Sequence, residues 1–191
     1  AVDPKSLPRE EIINKLTASG CWPFFKERPY NVVADPEKEP KAIFISGFDS
    51  APLAPKMQLL LEGQEKEFQT GIYALQQLTA GKIHLGLNEN GPASPVFANI
   101  DGITITKYDG PHPAGLVGVH INKLDPINSG EKVWTITPEH IVIIGRLFLE
   151  GKFDARMKFA LTGSEVNERN YHETIIGAAV KPFVSDKTTE R

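Results

Sequence analysis

The stretch that most constrains this chain is residues 109–126, DGPHPAGLVGVHINKLDP, a little past the midpoint. It holds three of the sixteen glycines (Gly110, Gly115, Gly118), three prolines, and two of the five histidines, His112 and His120. Pro111 and Pro113 have no backbone N–H to donate and keep the chain extended and turning. Behind them, Gly115-Leu-Val-Gly118 lets one backbone come close to another group, because no side chain stands in the way. Val117, Val119, Ile121 and Leu124 supply apolar contacts. The segment reads as a buried turn leading into a short element. A strand-rich half precedes it, and a half of helix and strand follows.

Around this turn the chain alternates strands and helices. Pro8, Glu10 and Glu11 suit the first turn of a helix whose stripe is Ile12, Ile13 and Leu16, with Gly20 as its stop. Residues 41–46, KAIFIS, form a short and nearly continuous apolar run, the signature of a strand buried on both faces. Phe68, Ile72, Leu75 and Leu78 predict a helix over 65–78, and residues 82–87 a second strand. Residues 96–100, 103–108 and 133–136 are further strand candidates. Thr137-Pro138-Glu139 opens a helix that is apolar almost all round from Ile141 to Leu149. This order predicts an α/β sheet with helices packed on its faces.

The pattern then changes. Residues 155–161 alternate polar and apolar, 163–167 turn, 171–174 return, and 175–180 start a helix or another hydrophobic element. A boundary is therefore expected near 151–154. The expected division is an α/β domain over 1–151, a second unit over 152–184, and a charged tail without order over 185–191.

Composition removes several function classes. The 21 basic and 24 acidic residues nearly cancel, and no basic stripe favours nucleic acid. The longest apolar runs fall far short of the roughly 20 residues that a bilayer span needs. Cys21 is the only cysteine, so an intrachain disulfide, a cysteine-held iron–sulfur cluster and a cysteine-rich zinc site are all excluded. The opening, AVDPKSLPREE, is polar, lacks a signal-peptide core, and reads like the middle of something longer.

No phosphate-binding glycine motif occurs: there is neither G-x-G-x-x-G nor G-x-x-x-x-G-K-[ST]. The histidines form no metal-ligand spacing, and hydrogen-bonded structural roles are expected for them. The sharper candidate is residues 21–30, CWPFFKERPY, with four aromatics in ten residues. Trp22, Phe24, Phe25 and Tyr30 can form a flat apolar slot with Lys26 and Arg28 at its edge. Such a slot suits a ring with polar carbonyls, for instance a quinone head group. The alternative is an aromatic plug that anchors the first helix to the sheet.

At HPAGLVGVH, with its Asp109-Gly110-Pro111 lead, the sequence resembles the A subunit of the sodium-translocating NADH:quinone oxidoreductase. Other landmarks agree in order: Ser19-Gly-Cys-Trp22 with Arg28-Pro29, Ala42-Ile-Phe-Ile45 with Asp49 and Pro52-Leu-Ala54, Leu78-Thr-Ala-Gly-Lys82, Gly145-Arg-Leu-Phe-Leu149, and Leu161-Thr-Gly163. The match runs from about residue 7 to about residue 184.

The resemblance implies a Rossmann-like α/β domain similar to the flavin-binding subunit of respiratory complex I, followed by the start of a β-grasp domain. It implies a fragment of a longer, peripheral subunit on the cytoplasmic face of the bacterial inner membrane, docked on membrane subunits and helping to bind quinone. No cofactor is expected in this chain; FMN, FAD, riboflavin and a 2Fe–2S cluster are expected on other subunits. Where flavin-binding relatives carry a glycine-rich phosphate loop after Ser-Gly, this sequence has Cys21-Trp-Pro-Phe-Phe-Lys26, which implies that the flavin is lost. In the family, quinone lies next to the segment matching residues 25–32, which makes Phe25, Arg28 and Tyr30, then Trp22, the expected quinone contacts. The rivals are a self-sufficient flavin- or NADH-dependent oxidoreductase and a ligand-free scaffold.

Overall fold

The computed structural model describes residues 1–185 and 187–189. After a single helical turn at Pro4–Ser6 comes α1, Arg9–Ala18, with Glu10 and Glu11 in its first turn. Ile12 and Leu16, one turn apart, are fully buried. Gly20, in the left-handed region (φ 79°), turns the chain out of the helix.

A 3-10 turn over Trp22–Phe24 leads into a small hairpin of β1, Lys26–Arg28, and β2, Val32–Val33. Two prolines in ten residues predict irregular chain here, and the structure differs. Pro23 sits in the 3-10 turn and Pro29 in the hairpin turn, so neither has to donate to the sheet. Asn31 takes the positive φ (57°) of that turn, which asparagine tolerates.

The next elements are β3, Ala42–Ser46; a short α2, Met57–Leu60, not expected from the sequence; α3, Glu65–Gln76; β4, Lys82–Asn88; β5, Thr104–Tyr108; α4, Val117–Leu124; β6, Val133–Thr135; and α5, Pro138–Glu150, the others in the expected order. The strand expected over 96–100 is absent. Its start is a 3-10 turn, Pro95–Phe97, because Pro95 offers no N–H for a ladder and Phe97 turns inward to meet Phe68 edge-on (5.4 Å, 70°).

The strands make one sheet in the order β2-β1-β6-β3-β4-β5. The β6-β3-β4-β5 pairings are parallel, and β1 joins β6 and β2 antiparallel. The chain leaves β3 toward β4 and β5, then returns to β6 on the other side of β3. In such sheets the crevice at the carboxyl ends of the strands is the usual ligand position.

Both faces are covered, as a parallel sheet requires. On one face, Ile43, Ile45, Ile83, Leu85 and Trp134 pack with the apolar sides of α1, α3 and α5. On the other, Ala42, Phe44 and Val133 pack under Ile121 of α4. Each fully buried aliphatic side chain contributes about 1.5–3 kcal/mol. The α3–α5 crossing depends on two glycines. A methyl at Gly145 would run into the carbonyl of Glu67, and one at Gly71 into the carbonyl of Ile141.

After Gly151 (φ 75°) the chain forms an antiparallel pair, β7, Arg156–Leu161, and β8, Asn170–Ile175, registered from Arg156↔Ile175 to Leu161↔Asn170. The helix anticipated from residue 175 begins only at Lys181. Gly177 (φ 85°) turns the chain first, and α6, Lys181–Val184, docks Phe183 against Phe159 (5.0 Å). Within the tail expected to lack order, Asn167 N–H donates to the carbonyl of Lys187 (2.8 Å), and Thr189 N–H donates to that of Glu165 (2.9 Å). Asp186, Glu190 and Arg191 lie outside the described residues.

Gly145→Ala is expected to force α3 and α5 apart and destabilise the domain by about 1–3 kcal/mol, the usual cost of overpacking. Chemical denaturation checks this; an unchanged midpoint would mean that the helices separate freely.

Candidate functional site

The turn before α4 closes the carboxyl edge of the sheet. Ser46, the last residue of β3, lies 2.7 Å from the carbonyl of Phe48 and 2.8 Å from that of Gly115, with one hydroxyl proton for both. Gly115 N–H donates to Ser50 Oγ (2.8 Å), and Ser50 Oγ lies 3.1 Å from Nδ1 of His112. Any Cβ at Gly115 would press on the backbone nitrogen of Ser50. The glycine of the sequence motif is thus a point of close backbone approach.

The second motif histidine is a buried wedge. His120 is 1% exposed, stacks on Tyr108 (3.9 Å, 15°) and faces Phe48 (5.7 Å, 28°). Its Nε2 is 2.8 Å from the carbonyl of Ala114. Gly86 leaves room for the ring, because a side chain there would overlap it. Burial lowers the pKa of His120 and so favours the neutral ring, and because a carbonyl can only accept, Nε2–H is the donor.

The aromatic stretch divides into two environments. Trp22 and Phe25 turn inward and meet Trp134, at 5.5 Å and 5.8 Å between centroids. Trp22 Nε1–H donates to the carbonyl of Ala34 (2.8 Å), which ties the far end of the hairpin down. Phe25 is fully buried. Beside them Cys21 is buried too, and burial raises its thiol pKa, so it packs as a small apolar group.

Arg28 and Tyr30 lie elsewhere. Arg28 is half-buried at the end of β1 opposite Val133, and its Nε is buried without a partner among the described residues. Tyr30, on the hairpin turn, is 77% exposed. The four residues therefore do not surround one slot. The 3-10 turn aims Trp22 and Phe25 at the core, and strand alternation carries Arg28 to the opposite face from Glu27. Glu27 is buried and bonded to Lys132.

One ring of the stretch does reach the carboxyl edge. Phe24 stacks flat on His140 (4.0 Å, 4°) at the start of α5, and Thr137 Oγ1 lies 3.2 Å from His140 Nδ1. Sequence reasoning did not single out His140, although a histidine in the first turn of a helix following a parallel strand was a usable signal. Nor did it single out Ser46, the polar end of an apolar strand. Also at this edge is a cleft of about 430 Å³ beyond β3 and β4, lined by Phe48, Met57, Leu87 and Phe97, with Lys56 and Lys107 among its polar groups.

The loop after α1 has little left to offer a phosphate. Four of its N–H groups are used internally: Gly20 to Thr17, Cys21 to Leu16, Phe24 to Cys21 and Phe25 to Trp22. Pro23 has none. A flavin phosphate cradled by backbone amides does not fit here.

A mostly parallel sheet with helices on both faces, extended by an antiparallel hairpin and with its first loop sealed by aromatic rings, defines an α/β domain. Two crystal structures of NAD+-reducing [NiFe]-hydrogenase, H2-reduced and air-oxidized, share this fold with a TM-score of 0.62 at 16% and 14% identity; they cover 97% and 94% of this chain, and this chain covers 40% and 39% of theirs. The chain belongs to the NqrA second alpha/beta domain family, whose model matches residues 7–153. Among curated relatives, the A subunit of the Na(+)-translocating NADH-quinone reductase of Serratia proteamaculans is 37% identical over 183 residues, and that of Rhodopirellula baltica 35% over 182. Each alignment takes in 95% of this chain and 40% of the relative. The corresponding protein of Yersinia pestis bv. Antiqua is 33% identical over 190 residues, 100% of this chain and 42% of its own length. The chain thus spans about two fifths of the length of these relatives.

His140 makes the site sensitive to acid. Its pKa is lowered to about 4, first by burial and then by the charge of Lys26. Unfolded, it titrates near 6.5. Between those values the unfolded chain binds more protons, so stability falls as pH drops from about 6.5 to about 4. His84 and His120, also lowered by burial, act in the same direction. His140→Gln is expected to lessen the loss of Tm between about pH 7 and about pH 4.5. An equal loss in both proteins would exclude His140 as a source.

Proposed function

We propose that this chain serves as the α/β domain of the A subunit in a sodium-translocating NADH:quinone oxidoreductase. In this role it catalyses no reaction alone. It helps bind quinone and docks on membrane subunits from the cytoplasmic face of the bacterial inner membrane. Residues 1–151 form the α/β domain, and 152–184 begin a β-grasp domain. The observation that carries this is the family match over 7–153, together with the relatives described above, which bear the name of that subunit. No helix among the described residues is long and apolar enough to cross a membrane, in keeping with a peripheral position.

FMN, FAD, riboflavin and the 2Fe–2S cluster belong, on this proposal, to other subunits. The internally bonded amides of the loop after α1 support it and oppose a self-sufficient flavin enzyme. The purified chain is accordingly expected to bind neither FMN nor NADH tightly. A calorimetric titration giving a dissociation constant of about 1 μM or below for either would favour the flavin enzyme instead.

For quinone, the four residues take two roles. Arg28 and Tyr30, on the accessible hairpin, make contact; Trp22 and Phe25 hold the hairpin from behind. A guanidinium stabilises a carbonyl oxygen that gains charge on reduction, by about 1.5–3 kcal/mol when well desolvated. In the assembled complex, Arg28→Ala is expected to weaken apparent quinone affinity several-fold while leaving assembly and Tm nearly unchanged. Phe25→Ala is expected to destabilise the domain by about 3–5 kcal/mol through the cavity it leaves. Unaltered quinone kinetics in a normally assembled Arg28→Ala complex would remove Arg28 from the site and leave the aromatic run as core packing.

A further inference from the structure

A cavity of about 580 Å³ lies away from the carboxyl edge, in the angle between α5, the α2–α3 connection and the β7–β8 hairpin. Leu60, Val142, Met157 and Ile175 give it apolar walls. Five carboxylates line it: Glu62, Glu67, Glu139, Glu150 and Glu173.

The cations that line it are mostly committed. Arg146 donates to the carbonyl of Arg156 (2.7 Å) and to Gln64 Oε1, with Asp154 4.0 Å away. Arg156 is bonded through Nε to Asp154 (2.9 Å). Lys158 is the lining base with no ion pair among the described residues. Among the acids, only Glu150 has an ion pair, a 3.5 Å contact with Lys152. Oε2 of Glu139 is buried and has no hydrogen-bond partner among the described residues. The groove thus offers three acids without an ion pair among the described residues, Glu62, Glu67 and Glu173, beside apolar walls, and a buried acceptor on Glu139, whose burial raises its pKa.

We infer that this groove is the docking site for a cytoplasmic segment of a membrane-embedded subunit, one that carries Lys or Arg interspersed with apolar side chains. The inference rests on the proposed role in a membrane complex. Cytoplasmic loops and tails of membrane proteins are rich in Lys and Arg. Their apolar residues would fill the walls, and their cations would meet Glu62, Glu67 and Glu173 and reach toward Glu139. Such complementarity selects the partner and speeds encounter, and burial of the apolar residues retains it.

Two measurements on the assembled complex test this. A photo-cross-linking amino acid at Glu62, which is exposed, is expected to capture a Lys/Arg-bearing cytoplasmic segment of a membrane subunit. Capture only within the same polypeptide, or of a second copy of it, overturns the inference. The double reversal Glu62→Lys with Glu173→Lys is expected to reduce retention on membranes about tenfold at physiological salt, with Tm unchanged. Retention equal to wild type overturns the inference but leaves the proposed function standing. Failure of the unmodified protein to be retained at all removes that function, and the inference with it.

Discussion

Two helix backbones touch across one face of the sheet, and the rest of the domain is arranged around that contact. Gly71 and Gly145 let α3 and α5 pack more closely than any side chain would allow. With the helices this close, Ile72, Leu75, Ile141, Ile144 and Phe148 reach full or nearly full burial over β3, β4 and β6. The same crossing points the rest of α5 outward. Glu139, Val142, Arg146 and Glu150, spaced three or four residues apart, face the β7–β8 hairpin together. Arg146 then fastens that hairpin to the helices through the carbonyl of Arg156.

At the carboxyl edge, a different device holds the loops. Ser46, Ser50, Gly115 and the two motif histidines form a chain of short polar contacts, capped by the stack of His120 on Tyr108. A neutral histidine suits this position better than a charged one, because its buried faces are aromatic and only one nitrogen finds an acceptor. The motif is thus a connection between α4 and the end of β3.

Much of this was legible in the residues, and the reasons differ by element. The apolar run ending at Ser46 and the stripe Phe68, Ile72, Leu75 follow simple periodicities, and both elements fall where those periodicities put them. Gly115 as a close approach was readable because only a missing side chain permits it. The β1–β2 hairpin was not readable: three-residue and two-residue strands show no period, and flanking prolines usually argue against a ladder. The division of the aromatic run into buried Trp22 and Phe25 and exposed Tyr30 was equally hidden. Composition gives the number of rings in a segment, whereas their direction depends on the 3-10 turn and on Trp134, over a hundred residues away. The pairing of His140 with Phe24 is likewise a matter of tertiary placement.

The antiparallel pairing of β1 with β6 has a geometric consequence. Because Arg28 sits opposite Val133 and Lys26 opposite Thr135, the hairpin turn lies at the amino ends of the parallel strands. The Ser46–Gly115 junction and the cleft beside Phe48 lie at their carboxyl ends, the length of a five-residue strand away, or about 16 Å. Between them stands a sheet braced on both faces. The braced sheet therefore keeps the two ends apart, and the side chains of the hairpin turn do not meet those of the Ser46–Gly115 junction.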